Sequence, residues 1–208
     1  MFLILDQTQR AANRQVSMLS SCSDRRNVWQ MIVVFRRTGE KRYAVEALRE
    51  GLPVVEINPA PGYDRRIPHD MMHMVVEARL GLTRGIYGQL AAGGNAGTFR
   101  PVVNSDQSVQ EARRERKRVT KRGQKLLKNG RDDCTESERA TWICWQEWLA
   151  RSSANKRAGN TADSGIKQNK LDEICKHLDE LSSQWSSLYI GQSVAVSWPD
   201  LAIVKSGR

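Results

Sequence analysis

Two histidines four residues apart, His69 and His73, stand in the stretch PHDMMHMVVEARLGL, residues 68–82. Asp70 follows the first, and Glu77 comes four residues after the second. On a helix, side chains at i and i+4 share a face with Cβ atoms about 6 Å apart, so two imidazoles can hold one divalent ion. At about 100° per residue His69, His73, Glu77 and Asp70 form one continuous polar stripe. Met71, Met72, Met74, Val75, Val76 and Ala78 fill most of the remaining circumference, so the helix is expected to be buried on most sides. Glu77 lies two turns, about 12 Å, from His69. It therefore fits as the partner that orients His73 rather than as a ligand of the same ion. A zinc site needs a third protein donor, and Asp64, just ahead of the helix, is the nearest candidate. The opposing reading is an amphipathic helix whose narrow solvent stripe is His, Asp, His and Glu, with Glu77 and His73 as ordinary helix support.

The five residues HDMMH resemble the HExxH motif of zincin metallopeptidases, with Asp70 where that family has Glu. The resemblance implies a zinc ion or another divalent metal on His69 and His73, and it makes Asp70 the candidate catalytic base that takes a proton from the attacking water. Asp70 is one methylene shorter than Glu, which shortens its reach. A wider stretch, FRRTGEKRYAV, NPAPGYD, PHDMMHMVVEARLGL and GQLAAGGNAGTF, is similar to a family of uncharacterised bacterial proteins with a PHDxxHxVVE-type core. That resemblance spans roughly residues 30 to 100 and extends to GQSVAVSWP; it implies a bacterial, intracellular protein and supplies no activity.

Several elements must position these residues. VWQMIVVFRR is a β-branched, apolar run closed by the turn TGEK. In RYAVEAL, Tyr43, Val45 and Ala47 alternate with polar or small residues, and in VVEIN, Val55 and Ile57 alternate with Glu56 and Asn58. Together they predict a three-stranded antiparallel meander. The segment NPAPGYD cannot extend it, because proline lacks the N–H donor. Pro68 suits the first turn of the histidine helix and Gly81 its end. A capping box of Thr135 and Glu138 predicts a helix opening at ESERATWICWQEWLAR, with Trp142, Trp145 and Trp148 packed in the core. Leu171, Ile174, Cys175, Leu178, Leu181, Trp185 and Leu188 define the apolar face of another helix. Val194, Val196 and Trp198 lie on one side of a strand ending at Pro199. The expected class is α+β: an antiparallel sheet of about four strands, the meander plus the C-terminal strand, with helices packed on it. Residues 1–27 read as a flexible arm, 28–199 as one domain with a basic helical insertion at about 105–131 and a flexible loop at 152–170, and 200–208 as a tail.

The 208 residues carry a net charge of +10, and residues 111–131 hold ten Lys or Arg against two Glu, so the remainder is nearly neutral. The charge is a property of one segment. Arg113, Arg114, Arg116, Lys117, Arg118, Lys121 and Arg122 are the candidate contacts to nucleic acid, of a non-specific kind, since no base-reading motif and no aromatic residue accompanies them. A nucleic-acid-associated or scaffolding protein, with the histidine stripe purely structural, is the alternative to a metal-dependent, hydrolase-like one. Gly85, Gly88, Gly93, Gly94 and Gly97 could present backbone N–H groups to an anion, or serve tight turns. The N-terminus lacks the basic leader and long apolar run of a secretory signal, and no stretch is long and apolar enough to span a bilayer. The four cysteines form no CxxC pair, and a cytoplasmic protein with reduced thiols is expected.

Overall fold

The computed structural model describes residues 31–103, 106–152 and 165–204; the expected arm over residues 1–27 and most of the loop at 152–170 lie outside them. Among the described residues the chain forms six strands and five helices. Strands β1 (Met31–Gly39), β2 (Arg42–Arg49) and β3 (Val55–Ile57) make the meander. Helices α1 (His69–Leu80) and α2 (Ile86–Ala91) follow, then the short strand β4 (Arg100–Pro101). Next come α3 (Val109–Asn129), α4 (Arg131–Ser152) and α5 (Gln168–Ser186), and the chain closes with β5 (Ser193–Trp198) and β6 (Ile203–Val204). The sheet order is β4-β3-β2-β1-β5-β6, and every pairing is antiparallel.

The α+β class is as expected, but the sheet has six strands rather than four. The two additional strands have two residues each, too few for an alternation to register. β6 also lies in the segment expected to be a tail, where Leu201 is buried.

Alternation sorts the sheet into two faces. Met31, Val33 and Phe35, with Tyr43, Val45 and Ala47 and with Val194, Val196 and Trp198, point into the main core. Ile32, Val34 and Leu48 form a smaller cluster on the opposite face. The helices supply the other half of the core through Met71, Met74, Val75 and Val76 of α1, Ala140, Cys144 and Trp148 of α4, and the expected face of α5 from Leu171 to Trp185. Burying an apolar side chain of this size contributes roughly 1.5–3 kcal/mol, so this layer fixes α1 between the sheet and helices α4 and α5.

α1 has the expected bounds. Pro68 occupies its N-cap, and Gly81 ends it in the left-handed region at φ 70°, donating its N–H to Glu77 O, a conformation that glycine adopts without Cβ strain. α4 does not open at the Thr135–Glu138 capping box. It begins at Arg131, and Thr135 lies inside it with Oγ1 donating to Arg131 O at 3.1 Å, the back-bond a mid-helix threonine makes. A capping box does open α3, where Ser108 Oγ accepts from Glu111 N at 3.3 Å and Glu111 Oε2 accepts from Ser108 N at 2.9 Å.

The basic helix packs by close approach. Val119 and Gly123 are its buried residues, and a Cβ at Gly123 would stand 1.8 Å from Asn95 Oδ1. The glycine-rich loop thus serves as a bed for α3. Beneath it the buried Arg49 donates to Leu90 O and Gly94 O, both at 2.9 Å, and to Pro53 O. Burial, with the nearby Arg122 charge, lowers the Arg49 guanidinium to about 10, yet it remains charged at neutral pH.

Candidate metal centre

The polar stripe of α1 divides into exposed and buried parts. His69 is exposed, whereas His73 is 1 % exposed and Glu77 0 %. The rings of His69 and His73 meet edge to face with centroids 4.5 Å apart. Across from them stands Glu138 of α4, whose Oε2 is 3.5 Å from His73 Nε2. One donor atom from each of His69, His73 and Glu138 lies within 4.8 Å of the other two.

Behind His73 runs a buried relay. Its Nδ1 is 2.8 Å from Ser137 Oγ, and Thr141 Oγ1 is 3.3 Å from the same nitrogen. Ser137 Oγ in turn donates to Glu77 Oε1 at 2.9 Å. A serine has one proton to give. With Ser137 donating to an ionised Glu77, the Nδ1–H tautomer of His73 donates to Ser137 and carries a lone pair on Nε2. That nitrogen is buried and has no hydrogen-bond partner, and it faces Glu138. Burial, reinforced by the His69 charge, lowers His73 to about 4, so the ring is neutral at pH 7. A neutral imidazole with one nitrogen pinned and the other free is the form that ligates metal.

Glu77 is anchored from its other side. Its two oxygens accept from Ile86 N and Tyr87 N, each at 2.8 Å, at the start of α2. Gly85 permits this approach, since a Cβ there would lie 2.5 Å from Glu77 Cδ. The anion held by the glycine-rich stretch is therefore the protein's own carboxylate. Burial pushes Glu77 up to about 7, against the lowering effect of Tyr87 N–H, Ser137 and the other donors.

The remaining candidates have other surroundings. Asp64 is not grouped with the histidines; its Oδ1 accepts from Arg66 N at 2.7 Å and Ile67 N at 3.4 Å, closing the turn that leads into α1. Asp70 Oδ2 accepts from the hydroxyl of Tyr43, which packs edge to face on Trp185. Burial raises the Asp70 carboxyl, against the Tyr43 hydrogen bond and the His69 charge, while the Glu138 charge adds to the rise. Trp148 is buried and Trp145 half-buried as expected, but Trp142 is 63 % exposed, on the side of α4 one turn beyond Glu138. Arg113, Arg114, Arg116, Lys117, Arg118, Lys121 and Arg122 are all exposed on α3.

Sequence reasoning missed Glu138, Ser137 and Thr141. Glu138 entered the sequence reading only as the second member of the Thr135–Glu138 cap, and Ser137 and Thr141 are ordinary polar residues of a helix rich in them. Comparison of the chain with protein-family models, curated proteins and solved structures finds no match.

Proposed function

We propose that this protein binds a divalent metal ion, zinc being the ion its donors suit best, through His69, His73 and Glu138, and that the centre is hydrolase-like. The observation that carries the reading is the buried Nε2 of His73, which has no hydrogen-bond partner and faces Glu138; the Ser137–Glu77 relay on its other nitrogen favours the ligating tautomer. Leaving such a nitrogen unsatisfied costs about 1–3 kcal/mol, and a metal bond would relieve that cost. Spacing supports it: tetrahedral bonds of about 2.0–2.1 Å put donor atoms about 3.3 Å apart, close to the 3.5 Å between His73 Nε2 and Glu138 Oε2. His69 and Glu138 are exposed and free to complete the approach. Two histidines and one carboxylate leave a position open for substrate, as catalytic zinc sites do.

When bound, the ion would supply Lewis acidity at that open position. The chain's own residues then have distinct tasks. The relay favours the ligating tautomer of His73. Asp70, fixed through Oδ2 by Tyr43, is the proton acceptor beside the ligands. Glu77 keeps the relay polarised from inside the core. Protein purified without an affinity tag should carry close to one equivalent of divalent metal, lost in the H69A/H73A double variant and in Glu138→Gln. Asp70→Asn should retain the metal and lose any hydrolysis of ester substrates. A metal-free wild type whose melting temperature is unmoved by added zinc would refute the reading.

A further inference from the structure

The cations of α3 fall opposite the seam by which it packs. Ala112, Glu115, Val119, Gly123 and Leu126 are its buried or half-buried residues along one side. At about 100° per residue, Arg114, Lys117, Lys121, Lys125 and Lys128 occupy an arc of about 80° centred on the opposite side, and all five are exposed. Ion pairs elsewhere join Arg36 to Glu46, Arg84 to Asp133, Arg139 to Glu136, Arg151 to Glu147 and Asp172, and Lys170 to Glu173. Among the described residues none engages a cation of α3. The two acids of the helix are used locally: Glu111 caps it and Glu115 accepts from Gln107 Nε2 at 2.9 Å. Like charges at i, i+3 and i, i+4 destabilise a helix by about 0.2–0.5 kcal/mol per pair, and α3 tolerates a ladder of them.

We infer that the outward face of α3 docks duplex nucleic acid through its phosphate backbone, without reading sequence; the inference does not rest on the metal centre. The helix has 21 residues and is about 31 Å long, while duplex DNA presents one charge per about 1.7 Å. Five cations in one arc can therefore neutralise about five phosphates. The arc holds no aromatic residue, so single strands gain no stacking platform. An anionic membrane is the weaker match. A membrane-surface helix buries an apolar face in the lipid, and the apolar seam of α3 is already seated on the loop containing Gly94 and Asn95.

The test is fluorescence anisotropy of the full chain with a labelled 30-base-pair duplex from 50 to 200 mM KCl. Binding should weaken by about 500-fold across that range, a log–log slope of about −4.5 for five phosphates. Two unrelated duplex sequences should give the same affinities. The variant R114Q/K117Q/K121Q/K125Q/K128Q should fold with unchanged helix content, since Gln is nearly as good a helix former as Lys, and should lose most of the salt slope. The salt slope of the wild type stands as a test by itself should the variant be unstable. Absence of duplex binding at 50 mM KCl, binding only to phosphatidylserine vesicles, or a variant that binds as the wild type does would each overturn the inference.

Discussion

Ser137 is the smallest member of the candidate centre and the joint on which its protonation logic turns. Ser137→Ala removes the hydrogen-bond partner of His73 Nδ1 at 2.8 Å and one donor to Glu77. Because the partners that orient a metal-bound histidine also set its basicity, zinc affinity should fall by about 10- to 100-fold, measured by competition with a chromophoric chelator. Stability of the metal-free protein should fall by about 1–3 kcal/mol, the usual consequence of orphaning buried polar groups. Glu77 and His73 also make a linked pair. Glu77, pushed up from 4.5 to about 7, stabilises the fold fully below pH 4.5 and loses that contribution as pH rises through 7. His73, lowered from 6.5 to about 4, contributes fully above pH 6.5 and loses it as pH falls through 4. Between pH 4.5 and 6.5 the folded pair holds one proton on Glu77 and the unfolded pair one on His73, so their slopes cancel. Glu77→Gln leaves His73 alone to titrate. In chelator-treated protein the stability deficit of that variant should widen by about 1 kcal/mol per pH unit as pH falls from 6.5 to 4.5; a deficit independent of pH would contradict this linkage.

Elements with a strong period were legible in the sequence, and elements made by contact were not. α1 could be bounded by Pro68 and Gly81, and the core faces of β1, β2, β5 and α5 by their alternation, because burial imposes those patterns locally. The two-residue edge strands Arg100–Pro101 and Ile203–Val204 leave no pattern. The third donor of the candidate centre was illegible for a different reason: Glu138 lies 65 residues beyond His73, and only the packing of α4 on α1 brings them together. Thr135 and Glu138 have the spacing of a cap, but Arg131 to Cys134 also continue as helix, so the local rule yielded to a longer one. The bed of α3 is a contact-made element of the same kind. Gly123→Ala would drive a methyl group into Asn95 Oδ1, 1.8 Å away, and overpacking of this sort costs about 1–3 kcal/mol. Urea denaturation should show that loss, while metal content stays at the wild-type value.

For the molecule as a whole, charge and topology set the conditions under which it is stable. Repulsion along α3 acts between solvent-exposed groups and is screened within about 10 Å at 0.1 M salt. The melting temperature should therefore rise between 20 and 500 mM NaCl, and less so in the five-fold glutamine variant, as calorimetry would show. Topology has a consequence in time. β1 occupies the middle of the sheet with β2 on one side and β5 on the other, Met31 opposite Trp198, yet β5 is synthesised roughly 150 residues after β1. At about 5–20 residues per second, the ribosome exposes the apolar run Met31–Phe35 for about 8–30 s before its second partner exists. During that interval the nascent meander has an open hydrogen-bonding edge beside its most hydrophobic strand, the arrangement most prone to pair with another chain. Chains stopped at Gly191 should keep that edge permanently and partition into the insoluble fraction, so the arrival of β5 is the step that commits the nascent chain to a single-molecule fold.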